Sequence, residues 1–301
     1  MREIRFDSLA RSKQQLSFVF SYDDLRFETA YWYDDVDLYQ LEKTHGARQM
    51  HKLYFHMMAF EANKLVSLCP QSVDFGDFAE FVTPQFEALW QKIVHHVWAQ
   101  WRYENDLPFY SGPVFRQRAK KADAAPIEHR PGAVEVLSFC GGGKDSLVAM
   151  KLLERAGIPY STFVYSHSIY GTAQRQHRLV ETLLQHAEPV CRHKMWVYDN
   201  FIDSPVLQLY PQIGSKNVTA AETPASIFAV LPVVLQHGYR YIALAHERSA
   251  NTGNLIWEVT GEDVNHQWGK SFAAEKLLNN YIQTELLSDF SYFSVLQPVY
   301  D

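Results

Sequence analysis

Between residues 16 and 35 aromatic and polar side chains alternate, LSFVFSYDDLRFETAYWYDD, and a period of two on either side of an Asp-Asp pair predicts two strands. The pattern then lengthens. Residues 50–69 and 83–106 space their apolar side chains three and four apart, which predicts helices; the second opens with Thr83 as N-cap, Pro84 at the first helical position and Glu87 in the first turn. Past residue 133 short apolar runs and helical runs take turns. Strands are expected at 134–140, 158–166, 194–199, 239–247 and 292–299, and helices at 146–157, 173–186, 223–238 and 271–287, the first stopped by Gly157 and the third interrupted by Pro232. Such alternation reads as a doubly wound parallel α/β sheet, whose ligands bind beyond the carboxyl ends of the strands. The charged, Ala-rich stretch 117–133, with Pro126 and Pro131, is the expected exposed connection. It divides the chain into an N-terminal α+β domain, 1–125, suited to substrate recognition, and an α/β domain, 126–301.

Composition narrows the function classes. With 28 Lys and Arg against 34 Asp and Glu, the net charge is −6, which speaks against a basic surface for nucleic acid. The longest apolar segment, 226–235, is far short of a bilayer span and contains Pro232. The N-terminal residues are charged and lack the apolar core of a secretory signal. Cys69, Cys140 and Cys191 are widely spaced, with no CxxC pair, so a reducing compartment without structural zinc is expected. The sequence therefore predicts a cytoplasmic protein with a small-molecule substrate and neither a nucleic acid nor a membrane partner. His45, His51, His56, His95 and His96 sit on helical runs at spacings that do not converge, and read as ordinary helix residues.

The chemistry concentrates at FCGGGKDSL, where three glycines and a Lys-Asp-Ser triplet join a buried strand to a helix. Bare backbone at a helix N-terminus makes an anion site, because amides point outward and the helix dipole adds positive potential. The loop fails the GxxxxGK[ST] pattern, since Lys144 is followed by Asp145, and GEDVNHQWGKS spaces its glycines wrongly for it. A dinucleotide fingerprint is weak, because the second strand ends without an acid to grip a ribose. Gly141, Gly142, Gly143, Lys144, Asp145 and Ser146 instead resemble the SGGxDS loop of the PP-loop ATP pyrophosphatases, with Gly141 in place of the first serine. That resemblance implies an adenine nucleotide alpha-hydrolase-like sheet over about 134–300, ATP held through its β- and γ-phosphates, Mg²⁺ on Asp145, and cleavage that releases pyrophosphate.

A second segment, 244–275, follows the fourth strand at the same sheet edge. HERSANTGNLIWEVTGEDVNHQWGKS, with the glycine loop and the aromatic N-terminal part, is similar to the UDP-N-acetylmuramoyl-L-alanyl-L-glutamate epimerases of peptidoglycan precursor synthesis. This resemblance implies ATP-dependent inversion of the terminal L-Glu of UDP-MurNAc-L-Ala-L-Glu, with AMP and pyrophosphate as products. Family members extend further at the C-terminus, so a shortened relative, or one lacking part of the active site, is expected. Candidate acids and bases are His246, Glu247, Glu262 and His266. Arg248, Ser249, Asn251, Asn254, Asn265 and Lys270 are candidate substrate ligands, with Gln267, Arg175 and Arg178 behind them. Cys140 closes a buried strand and reads as core. The alternatives are another AMP-forming enzyme of the superfamily, such as an amide ligase or a tRNA-modifying synthetase, and a non-catalytic ATP-binding protein.

Overall fold

The alternation over residues 16–35 becomes a hairpin. Strands β2 (Gln15–Tyr22) and β3 (Leu25–Tyr33) pair antiparallel with Tyr22 opposite Leu25. Asp23 takes a φ of 49° in the turn, a left-handed conformation that Asp tolerates better than most residues. A strand not expected from the sequence precedes them: β1 (Glu3–Arg11) pairs with β2. It has only two deeply buried apolar anchors, Ile4 and Phe6, too few to make its period visible among charged neighbours. The computed structural model describes residues 2–119, 125–211, 213 and 215–299, so part of the expected connection, 120–124, lies outside the described residues.

The helices of the first part are α1 (Leu38–His45), α2 (Ala47–Glu61), α3 (Pro84–Val97) and α4 (Ala99–Glu104). Thr83 caps α3 as expected, its side chain accepting from the Phe86 amide at 3.1 Å. The helix expected over 50–69 stops at Glu61 and tightens into a 3₁₀ segment, Ala62–Leu68. Short strands β4 (Ser72–Asp74) and β5 (Val114–Phe115) follow. The second part runs β6 (Val136–Phe139), α5 (Lys144–Arg155), β7 (Tyr160–His167), α6 (Ala173–Leu184), β8 (Arg192–Asp199), α7 (Val206–Leu209), α8 (Ser215–Val218), α9 (Glu222–Ala229), α10 (Leu231–His237), β9 (Tyr241–Leu244), a hairpin of β10 (Leu255–Trp257) and β11 (Glu262–Val264), α11 (Phe272–Glu285) and β12 (Ser291–Ser294). Pro232 separates α9 from α10, where a mid-helix proline cannot donate.

One sheet carries ten strands in the order β12-β9-β6-β7-β8-β3-β2-β1-β4-β5. The first five are mutually parallel, and β8 then pairs antiparallel with β3, from Asp199 opposite Thr29 to Met195 opposite Tyr33. The fold is thus α/β with a large, mostly parallel sheet, and the sheet runs unbroken from the first part of the chain into the second. Strand alternation sorts the core. Val136, Cys140, Val164 and Ala243 pack with Met150 and Leu153 of α5 and Val180 and Leu184 of α6 on one face. Leu137, Phe163, Met195 and Ile242 face the other way, into a larger core with α2, α3, α9, α10 and α11. Beyond β8 only this second face is covered, and β3 shows a clean buried-exposed alternation. Among the described residues no helix is long and apolar enough to cross a membrane.

Charge is buried where the two parts join. The Lys64 ammonium donates to Glu61 at 2.7 Å, to Thr29 at 2.9 Å and to Asp199, all three on different elements and all buried. Tyr31 donates to the other oxygen of Glu61. Burial works against the lysine's charge, but Asp199 and Glu61 outweigh it and raise its pKa. His56 is buried and neutral, its ring nitrogens 2.7 Å from the Lys52 carbonyl and from the Tyr281 hydroxyl.

Two predictions follow from these buried groups. Lys64→Met leaves two carboxylates uncompensated in the core and lowers unfolding free energy by about 3–5 kcal/mol, read from urea denaturation. His56 has its pKa pushed by burial from 6.5 to about 3, so the unfolded chain binds the extra proton between those values. Stability is therefore complete above about pH 6.5 and falls as pH drops toward 3, and thermal melts show a shallower acid dependence in His56→Gln.

Candidate active site

At the carboxyl end of β6 the chain turns through Cys140–Gly143 and enters α5, whose N-cap, Gly143, has no side chain. Its first amides are thus left for a ligand, at the positive end of the helix dipole. The three glycines do different work. Gly142 has a φ of 83°, and a β-carbon there would come within 3.2 Å of Val180, so this position needs glycine for conformation. Gly141 and Gly143 meet nothing within 4 Å of an added β-carbon. The space is open, and bare backbone there lets an anion approach closely. The Gly141 amide donates to Ser146 Oγ at 3.1 Å, which orients the hydroxyl and leaves its proton to donate.

The loop forms one wall of a cavity of about 730 Å³, lined also by the ends of β7 and β9, the starts of α6 and α9, and Lys270. This is the edge expected for a ligand of a parallel sheet. Of the sequence candidates, Gly141, Gly143, Asp145, Ser146, His246 and Lys270 line it, with Cys140 and Arg175. Lys144 sits at the rim, its ammonium 2.6 Å from Asp145 and 3.5 Å from Glu247. Cys140 is 1% exposed and burial raises its thiol pKa, which fits the core reading.

The remaining candidates from the polar segment hold that segment together. Asn251 donates to Arg248 and Gln297 and accepts from the Phe272 amide at 2.8 Å. Asn265 is buried, donating to the Ala250 carbonyl at 2.9 Å and accepting from the Gln267 amide at 2.8 Å. His266 Nδ1 lies 2.7 Å from Asn254 Oδ1, and the residue lines a separate hollow with Trp98, Gln100 and Trp101. Glu262 accepts from the buried Arg102 at 2.7 Å and lies 3.6 Å from His95, tying the β10–β11 hairpin to α3 and α4. Neither Glu262 nor His266 lines the cavity, nor do Arg248, Ser249 and Arg178.

Several cavity residues escaped the sequence reading: Tyr165, Ser166, Tyr170, Gln176, Thr223 and Glu222. Glu222 opens α9 and accepts from the Tyr170 hydroxyl at 2.8 Å. Burial raises its pKa, and the Tyr170 bond and the Lys270 charge oppose that rise only in part. Its signal in the sequence is a lone acid at the start of a mostly apolar helix, which reads equally well as a dipole partner. His246 moves the opposite way. Burial, with Lys270 nearby, holds its pKa down to about 3, so it is a neutral imidazole at pH 7.

The family described as the MurL N-terminal domain matches residues 1–184 and 218–295. Three relatives are named UDP-N-acetyl-alpha-D-muramoyl-L-alanyl-L-glutamate epimerase. The one from Xanthomonas oryzae is 29% identical over 70% of this chain and 43% of its own. Those from Salinispora tropica and a Micromonospora strain are 30% and 29% identical over 67% of this chain, and over 40% and 41% of theirs. The chain thus spans less than half the length of the curated relatives it matches. A predicted subunit of a tRNA methyltransferase from Methanocaldococcus jannaschii covers 55% of this chain and 69% of its own at 13% identity, with a TM-score of 0.30; so low a score carries no argument.

The glycine geometry separates Gly142 from Gly143. Gly142→Ala forces a side chain into a left-handed conformation and costs about 1–2 kcal/mol of stability. Gly143→Ala, in an extended conformation with open space, stays within about 0.5 kcal/mol of the parent chain. Urea denaturation of the two variants checks the contrast.

Proposed function

The chain belongs to the MurL N-terminal domain family, and we propose that it carries the nucleotide-handling and proton-transfer site of an ATP-dependent epimerase acting on the terminal L-Glu of UDP-MurNAc-L-Ala-L-Glu. The names of its relatives support the substrate class. The observation that carries the chemistry is one cavity lined both by an open glycine loop at a helix N-terminus and by a carboxyl group of raised pKa, Glu222.

The α-proton of a glutamate is hardly acidic while the neighbouring carboxylate is charged. Joining that carboxylate to AMP removes the charge and makes the carbon acid stronger. In the proposed reaction a carboxylate oxygen attacks the α-phosphorus of ATP, the bond to the β-phosphate oxygen breaks, and pyrophosphate departs with the electron pair. The amides of the first turn of α5, the Ser146 hydroxyl and the Lys144 ammonium receive the departing phosphates. Asp145 fits the Mg²⁺ that accompanies ATP, since Mg²⁺ takes one or two carboxylates and fills its shell with phosphate oxygens and water. That ion would offset charge on the leaving group. Lys270 and Arg175, in the same cavity, suit the anionic groups of the substrate.

For the proton step Glu222 replaces His246 as the favoured base. A histidine near pKa 3 binds a proton too weakly at neutral pH, whereas a carboxylate raised above its usual 4.5 binds one better. Return of a proton to the opposite face inverts the centre, and water then cleaves the anhydride to release AMP. His246 serves in this reading as a neutral hydrogen-bonding wall. Glu247, 3.5 Å from the Lys144 ammonium, positions that lysine.

The test is nucleotide product analysis with the full chain, Mg²⁺ and ATP, with and without the UDP-muramyl dipeptide. AMP and pyrophosphate are expected only with the dipeptide, and Asp145→Asn abolishes them; ADP with phosphate would overturn the reading. Glu222→Gln keeps AMP formation and loses roughly 10²–10⁴-fold in exchange of the glutamate α-proton with deuterated water, followed by mass spectrometry.

A further inference from the structure

The sheet has a second cluster of chemistry at its other edge. His193 enters β8 at its amino end, His237 is the last residue of α10, and Asp35 follows β3. Three elements distant in sequence bring their side chains together. Asp35 Oδ2 lies 2.6 Å from His193 Nδ1 and 3.2 Å from His237 Nε2, and the ligand atoms of all three lie within 4.8 Å of one another. We propose that Asp35, His193 and His237 form a binding site for a divalent transition metal of the zinc class.

The donor set fits that class: two imidazole nitrogens and one carboxylate are common zinc ligands, with a fourth position for water. The spacing also fits. Zn–N and Zn–O bonds of about 2.0–2.1 Å in a tetrahedron set ligand atoms about 3.3–3.4 Å apart. The His237–Asp35 separation is already close to that value, and the His193–Asp35 contact reaches it by a shift of under about 1 Å. Asp35 is the most exposed of the three, with a side chain 38% exposed, so it gives both the slack and the path of entry.

The surroundings hold the ligands in place. His193 Nε2 lies 2.6 Å from the Tyr239 hydroxyl, which leaves Nδ1 as the nitrogen for the metal, the arrangement that orients metal-bound histidines. His237 Nε2 is buried and makes no hydrogen bond, its approach to Asp35 lacking the required geometry. A metal ion would satisfy that nitrogen better than this off-line approach to the carboxylate does. The Asp34 amide donates to the Lys194 carbonyl at 3.2 Å and the Lys194 amide donates to Asp34 Oδ1 at 2.9 Å, fixing the residue before Asp35 onto β8. The Asp37 amide donates to Gln236 Oε1 at 3.0 Å, fixing the same loop to the end of α10. A bound ion would staple β3, β8 and α10 where the two parts of the sheet meet, on the edge away from the glycine loop.

The test uses the full chain without an affinity tag, stripped with EDTA and titrated with Co²⁺ and then Zn²⁺. One equivalent of Co²⁺ is expected to give the visible band of a four-coordinate site, displaced by stoichiometric Zn²⁺, and Zn²⁺ is expected to raise the thermal midpoint. Asp35→Asn and His237→Gln are expected to weaken binding at least tenfold while keeping the circular dichroism of the parent chain. Absence of stoichiometric Co²⁺ or Zn²⁺ binding would overturn the site, as would undiminished affinity in both variants.

Discussion

The buried ammonium of Lys64 ties the structure together. It comes from the 3₁₀ segment after α2, and its partners come from α2, β3 and β8. Those elements meet where the parallel strands give way to antiparallel ones. Pairing between β3 and β8 alone would let the two regions of sheet twist independently; three charge-assisted bonds from one nitrogen fix their relative position. The arrangement is stable only as a whole, because each carboxylate is buried and depends on the lysine. His167, at the end of β7, lies 3.9 Å from Asp199 and completes the group.

That ion group also reaches the cavity. Tyr165 and Glu222 border both the cavity and the small hollow beside Lys64 and Glu61. The negative charge of Glu61 adds to the burial that raises the pKa of Glu222. The same charges that join the sheet therefore help set the proton affinity of a residue in the proposed site. Electrostatic effects of this kind travel further in a dry interior than at a surface, where water screens them.

Sequence periodicity revealed the elements whose apolar faces are wide. The parallel strands, the hairpin at 16–35 and the Thr83-capped helix lie close to where the pattern places them. β1 escaped because two anchors do not make a visible period. The antiparallel continuation of the sheet was hidden for another reason: pairing between β3 and β8 joins residues about 170 apart, such as Thr29 and Asp199, and no local pattern encodes it. The site divided in the same way. The glycine loop was legible because its signal is contiguous, three glycines and a Lys-Asp-Ser triplet between a buried strand and a helix. The polar segment 244–275 was legible as a dense motif, yet Asn251 and Asn265 spend their hydrogen bonds on the loop itself. Glu222 was illegible, since one acid before an apolar helix acquires meaning only when Tyr170 and the glycine loop fold around it.

Two ionisable groups in this one cavity are pushed in the directions that desolvation dictates. Burial disfavours charge, so it raises the pKa of a carboxylic acid and lowers that of an imidazole. Lys270 then acts on both, opposing the rise at Glu222 and deepening the fall at His246. The outcome is a neutral imidazole and a carboxylate of enhanced basicity in one cavity, which Lys270 and Arg175 also line. An incoming polyanion would meet the cations of Lys144, Lys270 and Arg175, matched in number by the carboxylates of Asp145, Glu222 and Glu247. The carboxylates that line the cavity come from different elements: Asp145 stands in the first turn of α5, and Glu222 in the first turn of α9. In the proposed reaction, drawing the two carboxylates from different elements would separate metal and phosphate handling from proton removal.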